Sequence, residues 1–426
     1  MNERRITFSK LTQKEASAAA ARHEMLYSGR MGGARAVFAF CDLSGLDLSG
    51  RNLADADFTG AILEEANLAG AKLDSASFFG SDLRRVNLSS ASMRRTDMRG
   101  ACLRGANLIG ADLYEADLRE GTIAEKDRFG NLRVLQHEIG PSELPAALLN
   151  SANLERAKLT GAVAINADFT DAIMKDCRLA RANLSKANFA GANLENADLS
   201  GCNLTGADMS NAVLVGAKMD LAQTKGVDLS RALTEKIAGR ALRDFDRPIA
   251  TILEDHAKWI ESEGASGKPA DLSGADMRDL KSLAHRSLTA LIAPKAVLYG
   301  LDLTGASLQG SNFSGADLRS AKLTGADLRG VNFSGAQLNY ADLRDAKLGP
   351  LMISTDRLLP ARLDGAVLRY ADLRGADVRR ASLNDADLSF ANFTDADMRG
   401  ADLEGATQTG AKLPSLYSEN PSALSA

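Results

Sequence analysis

For its length the chain has few cysteines, few prolines and few aromatic residues. Among 426 residues there are four Cys, nine Pro and one Trp, and aromatic residues make up 5% of the total. The four cysteines form no CxxC pair, so neither a disulfide framework nor a zinc ribbon is indicated, and reduced thiols suit the cytoplasm. No apolar run of about 18 residues or more is present, which excludes a membrane-spanning helix.

The sequence also has no apolar segment at its start and no strong net charge of either sign. The opening residues MNERRITFSKLTQ have no apolar segment of the kind that secretory signals carry, so retention in the cytoplasm is the expectation. The formal net charge is −4, which is neither strongly acidic nor basic. With so few aromatic residues, this balance disfavours direct binding to nucleic acid.

What the chain has in abundance is a repeat with a period of five. Residues 182–206 read ANLSK, ANFAG, ANLEN, ADLSG and CNLTG. Every fifth residue, here called the central position, is Leu or Phe, with Asn or Asp directly before it and a small residue at the minus-two position. A period of five matches neither the helical nor the strand periodicity, so it predicts a repeat architecture.

Phe residues at the central position recur at intervals of 20, which predicts that four repeats form one coil. If so, residues 20 apart stack at the spacing of paired strands, about 4.8 Å. The last Phe of the series lies a whole number of coils beyond its predecessor. The structural core is predicted to contain Phe38, Phe58 and Phe78, then Phe169 and Phe189, and then Phe313, Phe333 and Phe393.

This pattern resembles the bacterial pentapeptide-repeat family, whose consensus is A(D/N)LXX, and the resemblance covers most of the chain. It implies an all-β solenoid, a right-handed quadrilateral β-helix with four repeats per coil, here with helical caps and inserts. The family has unrelated roles, and some of its members imitate DNA to occupy a topoisomerase.

The register of the repeats predicts the domain organisation. Three repeat blocks are separated by segments that break the pattern. In chain order the parts are a helical cap at 1–35, block 1 at 36–119, a hairpin-like insertion at 120–148, block 2 at 149–231, a helical insert with a second cap at 232–269, block 3 at 270–413 with degenerate stretches at 278–295 and 349–360, and a tail at 414–426.

The two caps are predicted from a second, longer repeat. Thr12 and Glu15 have the spacing of a capping box before an Ala-rich helix. His23 and His256 each precede an aromatic residue, a Gly-rich linker and a first pentapeptide, and Trp259 is expected to anchor the second cap. A first helix of the insert is expected to end near residue 245. The remote alternative is an enzyme that uses His256.

The insertion at 120–148 is the leading candidate for an interaction site, because insertions on one side of a repeat array often bind partners. Its sequence predicts a β-hairpin around residues 127–130. Phe129 and Arg133 are the candidate contact residues within it. A spacer without a partner is the alternative.

A second candidate surface is a basic patch on block 1. Residues 20 apart are expected to pair, Glu64 with Arg84 and Asp74 with Arg94, and Arg104 stacks beyond Arg84. Arg84, Arg94 and Arg104, together with Arg85, Arg95 and Arg99, form the most basic part of the predicted rod. A solvated surface is the plainer interpretation.

Block 3 bears on the comparison with DNA mimics. One column is predicted to read Asp302, Lys322, Asp342, Arg362, Ser382 and Asp402. Such alternation cancels the field, whereas a mimic needs one sign of charge.

The stretch 278–295 fits a degenerate coil or a helix. The coil is favoured, although it would turn Lys281 and Arg286 inward.

The cysteines are interpreted as structural. Cys41, Cys177 and Cys202 occupy the minus-two position and are expected to be buried, whereas Cys102 is expected to face outward and to be the reactive one. No metal ligands, cofactor motif or catalytic set is identified. Residues 264–268 superficially resemble a phosphate loop, but Ser262 stands where the first Gly of that motif belongs and Pro269 where its Ser or Thr belongs, so they are interpreted as a linker.

The sequence therefore predicts a non-enzymatic protein-interaction scaffold with an unidentified protein partner. A modulator of gyrase that mimics DNA is the alternative.

Overall fold

Each pentapeptide makes one short extended side and one tight turn. In the repeat centred on Leu184, that residue and Ala182 at the minus-two position are buried. The Leu184 carbonyl accepts a hydrogen bond from the N–H of Ala187 at 3.1 Å, and the turn residue Lys186 has a φ of 56°. The turn thus closes just after the central residue and places the second residue beyond it in the left-handed region.

A computed structural model of the protein describes residues 8–120, 124–126, 132–134 and 142–414. The chain divides into two compact units, Met1–Lys236 and Ile237–Ala426.

Parallel bridges between residues 20 apart build the coils in both units. Asn67 pairs with Asn87, and Asn87 pairs with Asn107. On either side of such bridges, the Leu63 N–H donates to the Asp82 carbonyl at 2.8 Å and the Asp82 N–H donates to the Ala61 carbonyl at 2.9 Å. One coil therefore takes four pentapeptides, as the Phe spacing predicted.

The central side chains form one core cluster in each unit. All eight predicted core Phe residues are fully buried. Their rings stack along the coils, with centroids 4.7 Å apart for Phe58 and Phe78 and 4.9 Å apart for Phe169 and Phe189. Each buried Leu or Phe contributes about 1.5 to 3 kcal/mol relative to exposure, so the core is the main source of stability.

The first unit begins with a cap. Strand β1 (Ser9–Lys10) pairs in parallel with β2 (Cys41–Asp42), and helix α1 spans Gln13–Tyr27. Thr12 is its N-cap, and the reciprocal bonds with Glu15 confirm the predicted capping box.

The insertion in the first unit leaves the coils stacked. Strands β3 (Ala124–Lys126) and β4 (Leu132–Val134) pair antiparallel. On either side of them the coil partners are Asp97 with Asp117 and then Asp117 with Lys158. The first pair spans one coil and the second spans one coil plus the segment 121–141, so the chain leaves the coil and returns to the same register.

The coils resume earlier than the sequence indicated. Glu143 already bridges Cys102, and Ser142 and Leu144 are buried at the minus-two and central positions of a repeat. The predicted insertion at 120–148 therefore includes the first pentapeptide of the following block at its end. Only 121–141 lies outside the repeat register.

The second unit begins with a helix that the sequence placed correctly and lacks one that was predicted. Helix α2 spans Ile249–Glu261, and a 3-10 helix covers Leu242–Asp244. The expected helix ending near residue 245 was wrong, because this segment contains only that single 3-10 turn. The chain before it contains bends instead, and a single bridge joins Arg240 to Ala275.

The stretch 278–295 continues the coils after a second 3-10 helix, Arg278–Leu280. Ser282 bridges Asp302, and Leu283 and Leu288 are buried. Lys281 and Arg286 are exposed, so the expected inward orientation was wrong. The 3-10 turn accommodates a single extra residue, because Asp276 bridges Val297, one position beyond a full coil.

Residues 349–360, expected to be a degenerate coil, contain an antiparallel hairpin instead. Strand β5 (Leu351–Ser354) pairs with β6 (Arg357–Leu359). Across the hairpin, Asn332 bridges Arg362, which lies two pentapeptides beyond the partner that a single coil would supply. The hairpin thus preserves the period of five and shifts every later column by half a coil.

This shift corrects two predictions. Phe393 does not stack above Phe333, because its neighbour Asn392 bridges Asp372 in another column. The predicted charge column is also wrong after Asp342, which bridges Asp372 and not Arg362. The rings of Tyr340 and Tyr370 follow the shifted register, with centroids 5.1 Å apart.

Candidate interaction surfaces

The predicted basic patch on the first unit is neutralised by its own neighbours. Arg84 contacts Glu64 at 3.3 Å and Asp82 at 2.5 Å, and Arg104 contacts Glu143 at 3.0 Å. Arg94 pairs with Asp112 at 2.7 Å rather than with Asp74, whose carboxylate accepts the Arg94 main-chain N–H instead. Arg84, Arg94 and Arg104 therefore present paired charges, not a free cationic surface.

A recurring arrangement, which we call the aspartate–arginine clamp, explains much of this neutralisation. Asp stands directly before the central residue and Arg directly after it. One carboxylate oxygen accepts the main-chain N–H and Nε of the Arg, and the other accepts Nη2, as in Asp342 and Arg344 at 3.2, 2.8 and 2.7 Å. Such bidentate bonds fix both side chains on the outer face of the coil.

Ten clamps occur within the described ranges. They are Asp82–Arg84, Asp97–Arg99, Asp117–Arg119, Asp276–Arg278, Asp317–Arg319, Asp327–Arg329, Asp342–Arg344, Asp372–Arg374, Asp377–Arg379 and Asp397–Arg399. The Asp-x-Arg triplet is visible in the sequence, but the predicted charge pairs joined only neighbouring coils and did not include it.

The clamps also set the protonation of their carboxylates. The hydrogen bond from the Arg344 side chain lowers the pKa of Asp342, and that from Arg379 lowers the pKa of Asp377. Both carboxylates therefore stay ionised and paired at neutral pH.

The insertion is described only in part. Phe129 lies outside the described residues, and Arg133 lies in β4 with its backbone opposite Glu125. At the base of the insertion, the Ser142 hydroxyl donates to the carbonyl oxygens of Met98 and Arg119, both at 3.1 Å. The return of the chain to the coil is thereby fixed.

A groove of about 800 Å³ lies on the same unit, on coils that adjoin the start of the insertion. Five basic and four acidic side chains line it, among them Arg95, Lys158, Arg178 and Asp117. Lys158 stands 3.8 Å from Asp117. The mixed charge makes the groove a polar surface without a field of one sign.

The first cap is held to its coil by His23. The buried ring accepts a hydrogen bond at Nδ1 from the Ala36 N–H at 3.0 Å, and Nε2 donates to the Ala54 carbonyl at 2.8 Å. Tyr27 donates to the same carbonyl at 2.9 Å and contacts the Asp55 carboxylate. Burial and that contact raise the pKa of Tyr27 to about 12.

The second cap uses Nδ1 of His256 in the same way. This atom accepts a hydrogen bond from the Ala270 N–H at 3.0 Å, and the ring is fully buried beside Trp259, with centroids 5.9 Å apart. Burial lowers the pKa of His256. Ala36 and Ala270 occupy the equivalent minus-two position of the first repeat in each unit. Both histidines therefore attach their helix to the first repeat through the same hydrogen bond.

The cysteines depart from expectation in two places. Cys177 and Cys202 are buried, as predicted, but Cys41 is only partly buried at the first coil. Cys102 is also partly buried, with Sγ 4.0 Å from a Glu143 carboxylate oxygen. Burial raises the pKa of the Cys102 thiol, which disfavours the reactive thiolate that the sequence led us to expect.

The described residues hold neither a metal centre nor a membrane-spanning helix. No group of three or more His, Cys, Asp or Glu side chains there is arranged to hold a metal ion. Within the same ranges, no helix combines the length and apolarity that crossing a membrane requires.

The hairpin of β5 and β6 is an element that sequence reasoning missed. Its side chains Met352, Ile353 and Leu358 are exposed at 68%, 53% and 43%. The Leu-Met-Ile-Ser run before Thr-Asp is its sequence signal, because two short apolar runs flank a polar turn.

Comparison with known proteins establishes the family. Matches described as Pentapeptide repeats (8 copies) together cover residues 41–120, 147–231, 287–349 and 361–410. The chain belongs to the pentapeptide-repeat family. No curated protein matches the chain.

Solved structures of this family are among the similar ones. HetL of the cyanobacterium Nostoc sp. strain PCC 7120, a protein involved in heterocyst differentiation regulation, is 24% identical over 93% of this chain and 95% of HetL, with a TM-score of 0.20. Rfr23 of the cyanobacterium Cyanothece 51142 is 28% identical over 32% of this chain and 88% of its own, with a TM-score of 0.24. QnrB1, a plasmid-mediated fluoroquinolone resistance protein, is 16% identical over 53% of this chain and 93% of its own, with a TM-score of 0.26. Because these TM-scores are low, the family assignment rests on the repeat matches.

Proposed function

We propose that the protein is a non-enzymatic scaffold that binds another protein through the insertion at 120–148 and the flat coil faces beside it. Its coil is the right-handed quadrilateral β-helix that family membership implies. The four free cysteines support action in the reducing cytoplasm.

The observation that carries the proposal is the register of the insertion. Asp117 bridges Lys158 directly, so the segment 121–141 leaves the coil without disturbing its stacking. A segment that the coils can accommodate without any change of register is better explained by contacts with a partner than by a role in the solenoid. The groove on the adjoining coils offers polar side chains to that contact.

The clamps support a scaffold over a DNA mimic. A mimic of phosphate spacing needs acidic side chains with an unbalanced field. Asp327, Asp342 and Asp377 on the second unit are each held by the Arg that follows the central residue of the same repeat. We therefore expect no inhibition of gyrase supercoiling at micromolar protein.

The histidines support the absence of catalysis in the caps. His23 and His256 are buried, and Nδ1 of each is already engaged by a main-chain N–H. Neither is placed to act as a general base on an external substrate.

Affinity capture from native lysate tests the proposal, with mass spectrometry as the readout. The test variant lacks residues 121–141, which brings Asp117 and Lys158 to the sequence spacing of an ordinary coil. We expect one partner to be captured by the intact chain and lost by this variant. The matched control replaces residues 349–360 by Thr-Gly, and it should retain the partner.

Two results would count against the scaffold. One is a partner captured equally by all three proteins, which would remove the insertion from the binding site. The other is capture of gyrase subunits together with inhibition of supercoiling, which would favour the mimic.

A further inference from the structure

The groove on the first unit crosses the point where the insertion leaves the coils. Its lining includes Asp97 and Asp117 before the insertion, and Lys158 and Arg178 after it. These four residues are successive bridge partners, so they form one column across three coil steps. The groove is therefore a continuous surface, built by coils on both sides of the insertion.

Most charges in the groove are already paired with each other. Arg99 contacts Asp97 at 2.7 Å, and Arg156 contacts Glu115 at 3.5 Å. Asp117 is held by its own clamp. Opposite charges in contact cancel at short range, so these groups leave little field for a ligand.

Three charged residues of the groove are not part of such pairs. Arg95, Asp176 and Arg178 are exposed, and none of them has an ion-pair partner within the part of the chain that the structure describes. Arg95 lies at one end of the groove, on the coil of Asp97, and Arg178 lies at the other end. The two guanidinium groups are therefore available to bind carboxylates of a ligand.

The separation of these two arginines defines the length of a matching segment. Arg178 lies three coil steps beyond the coil that holds Arg95. Coils stack at about 4.8 Å per step, so the two residues are about 14 Å apart along the coil axis. An extended chain advances about 3.3 Å per residue, so about four residues span this distance. Acidic side chains at positions i and i+4 of an extended segment can thus reach both arginines.

The acidic side chains of the groove select such a segment over a polyanion. Glu115 and Asp117 line the middle of the groove, and Asp176 precedes Arg178 by two residues. A nucleic acid or a polyphosphate carries negative charge along its whole length and would place it against these carboxylates. A peptide can present neutral residues there and keep its carboxylates at the two ends.

We propose that the groove binds an extended segment of the protein partner with two acidic residues four positions apart. Arg95 binds one carboxylate and Arg178 binds the other, while the residues between them pass over the paired Glu115 and Arg156. This inference rests on the proposed scaffold function and assigns the chemistry of the partner. Exposed ion pairs are individually weak, so the groove adds to the contact made by the insertion and does not replace it.

Fluorescence anisotropy of labelled synthetic peptides with the full chain tests this proposal at low ionic strength, where surface charges are least screened. The test peptide carries Glu at i and i+4 in a background of Ser and Thr, and the control peptide carries Glu at i and i+1. We expect the test peptide to bind about fivefold more tightly, because the control peptide reaches only one arginine. No captured partner is needed, so this test and the capture from lysate can fail independently.

Charge exchange gives a readout that a folding defect would not produce. Arg178→Glu should lose the preference for the test peptide and should instead prefer a peptide with Lys in place of one of the two Glu residues. Lys186→Glu is the matched control, since Lys186 is exposed at a turn outside the groove, and it should leave the preference unchanged.

Three results would overturn the proposal. One is equal binding of the i, i+4 and i, i+1 peptides by the natural chain. Another is a preference that survives in Arg178→Glu. The third is displacement of the test peptide by tripolyphosphate at a lower concentration than by the unlabelled peptide, which would identify the groove as a site for polyanions.

Discussion

At the scale of single residues, the turn position decides which side chains a coil tolerates. Phe40 occupies this position with a φ of 55°, and its ring lies over Gly60 of the next coil. A Cβ at Gly60 would stand 2.6 Å from Phe40 Cε1, whereas one at Gly70 would meet no atom within 4 Å. The two glycines have φ values of 61° and 65°. Substitutions at these two glycines would therefore cause similar backbone strain and differ in their contact with the neighbouring side chain.

We predict that Gly60→Ala destabilises the protein more than Gly70→Ala. Both variants incur about 1 to 2 kcal/mol for a side chain at positive φ, and only Gly60→Ala must also displace the Phe40 ring. Chemical denaturation of the two variants measures the difference. Equal losses would show that the ring moves away without cost.

Clamps should differ in their importance according to burial. The Arg319 side chain is 9% exposed and that of its partner Asp317 is 17% exposed, whereas the Arg374 side chain is 51% exposed. We predict that Arg319→Gln lowers the melting temperature by several degrees, because Asp317 loses its partner in a poorly solvated position. Arg374→Gln is the control and should change the melting temperature little. A larger effect for Arg374→Gln would contradict this ranking.

His256 should make the second cap sensitive to mild acid. Burial holds its pKa below the ordinary value of 6.5, so the unfolded chain binds a proton that the folded chain does not. The contribution of neutral His256 to the free energy of unfolding is therefore fully present above about pH 6.5, and it is lost as the pH drops from there toward the lowered pKa.

Thermal unfolding between pH 7.5 and pH 5.5 measures this dependence. We expect the melting temperature of the second unit to fall across this range in the natural protein. His256→Asn retains a side-chain acceptor for the Ala270 N–H without the titration, so its melting temperature should change less with pH. An equal dependence in both proteins would assign the effect to other groups.

At the scale of elements, the lengths of the insertions decide whether the coils stay in register. The β5–β6 hairpin adds two pentapeptide lengths to the spacing of coil partners, as the bridge between Asn332 and Arg362 shows. We predict that replacing residues 349–360 by Thr-Gly, which removes that same length, leaves a folded protein with nearly unchanged circular dichroism.

A deletion at the same place that is not a multiple of five is the control for this prediction. Replacing residues 349–360 by Thr-Gly-Ser-Gly would put polar residues at central positions of the following repeats, which buries groups without hydrogen-bond partners. We expect that variant to unfold at a clearly lower temperature. Similar stability of the two variants would show that the later coils do not depend on the period of five.

The period of five also explains how much of the fold the sequence could predict. The central and minus-two positions, the coil of four repeats and α1 follow from periodicity and from a capping box. The columns beyond Asp342 did not, because an insertion whose length is a multiple of five leaves the phase of the repeats unchanged. Only pairing in space, such as Tyr340 on Tyr370, shows the shift.

The candidate surfaces were less predictable for a different reason. Pairing of Arg84 with Glu64 followed from stacking, but the closer partner Asp82 belongs to the same repeat as Arg84. The hydrogen bonds from the Ala36 and Ala270 N–H groups to His23 and His256 depend on where each helix meets its first coil. No spacing in the sequence specifies that position.

At the scale of the whole molecule, stability resides in the coils and we assign binding to the insertion. The coils are filled by central side chains, and many of their outer charges are paired within single repeats. The segment at 121–141 lies outside the repeat register that builds them. A partner should therefore touch the insertion and the coils next to it, and leave the remaining coils free.

Hydrogen–deuterium exchange on the captured complex tests this central claim most directly. We expect slower exchange in residues 120–148 and in the adjoining repeats around Arg104 when the partner is bound, with other repeats unchanged. Protection confined to repeats far from the insertion, with residues 120–148 exchanging at the same rate in both states, would contradict it.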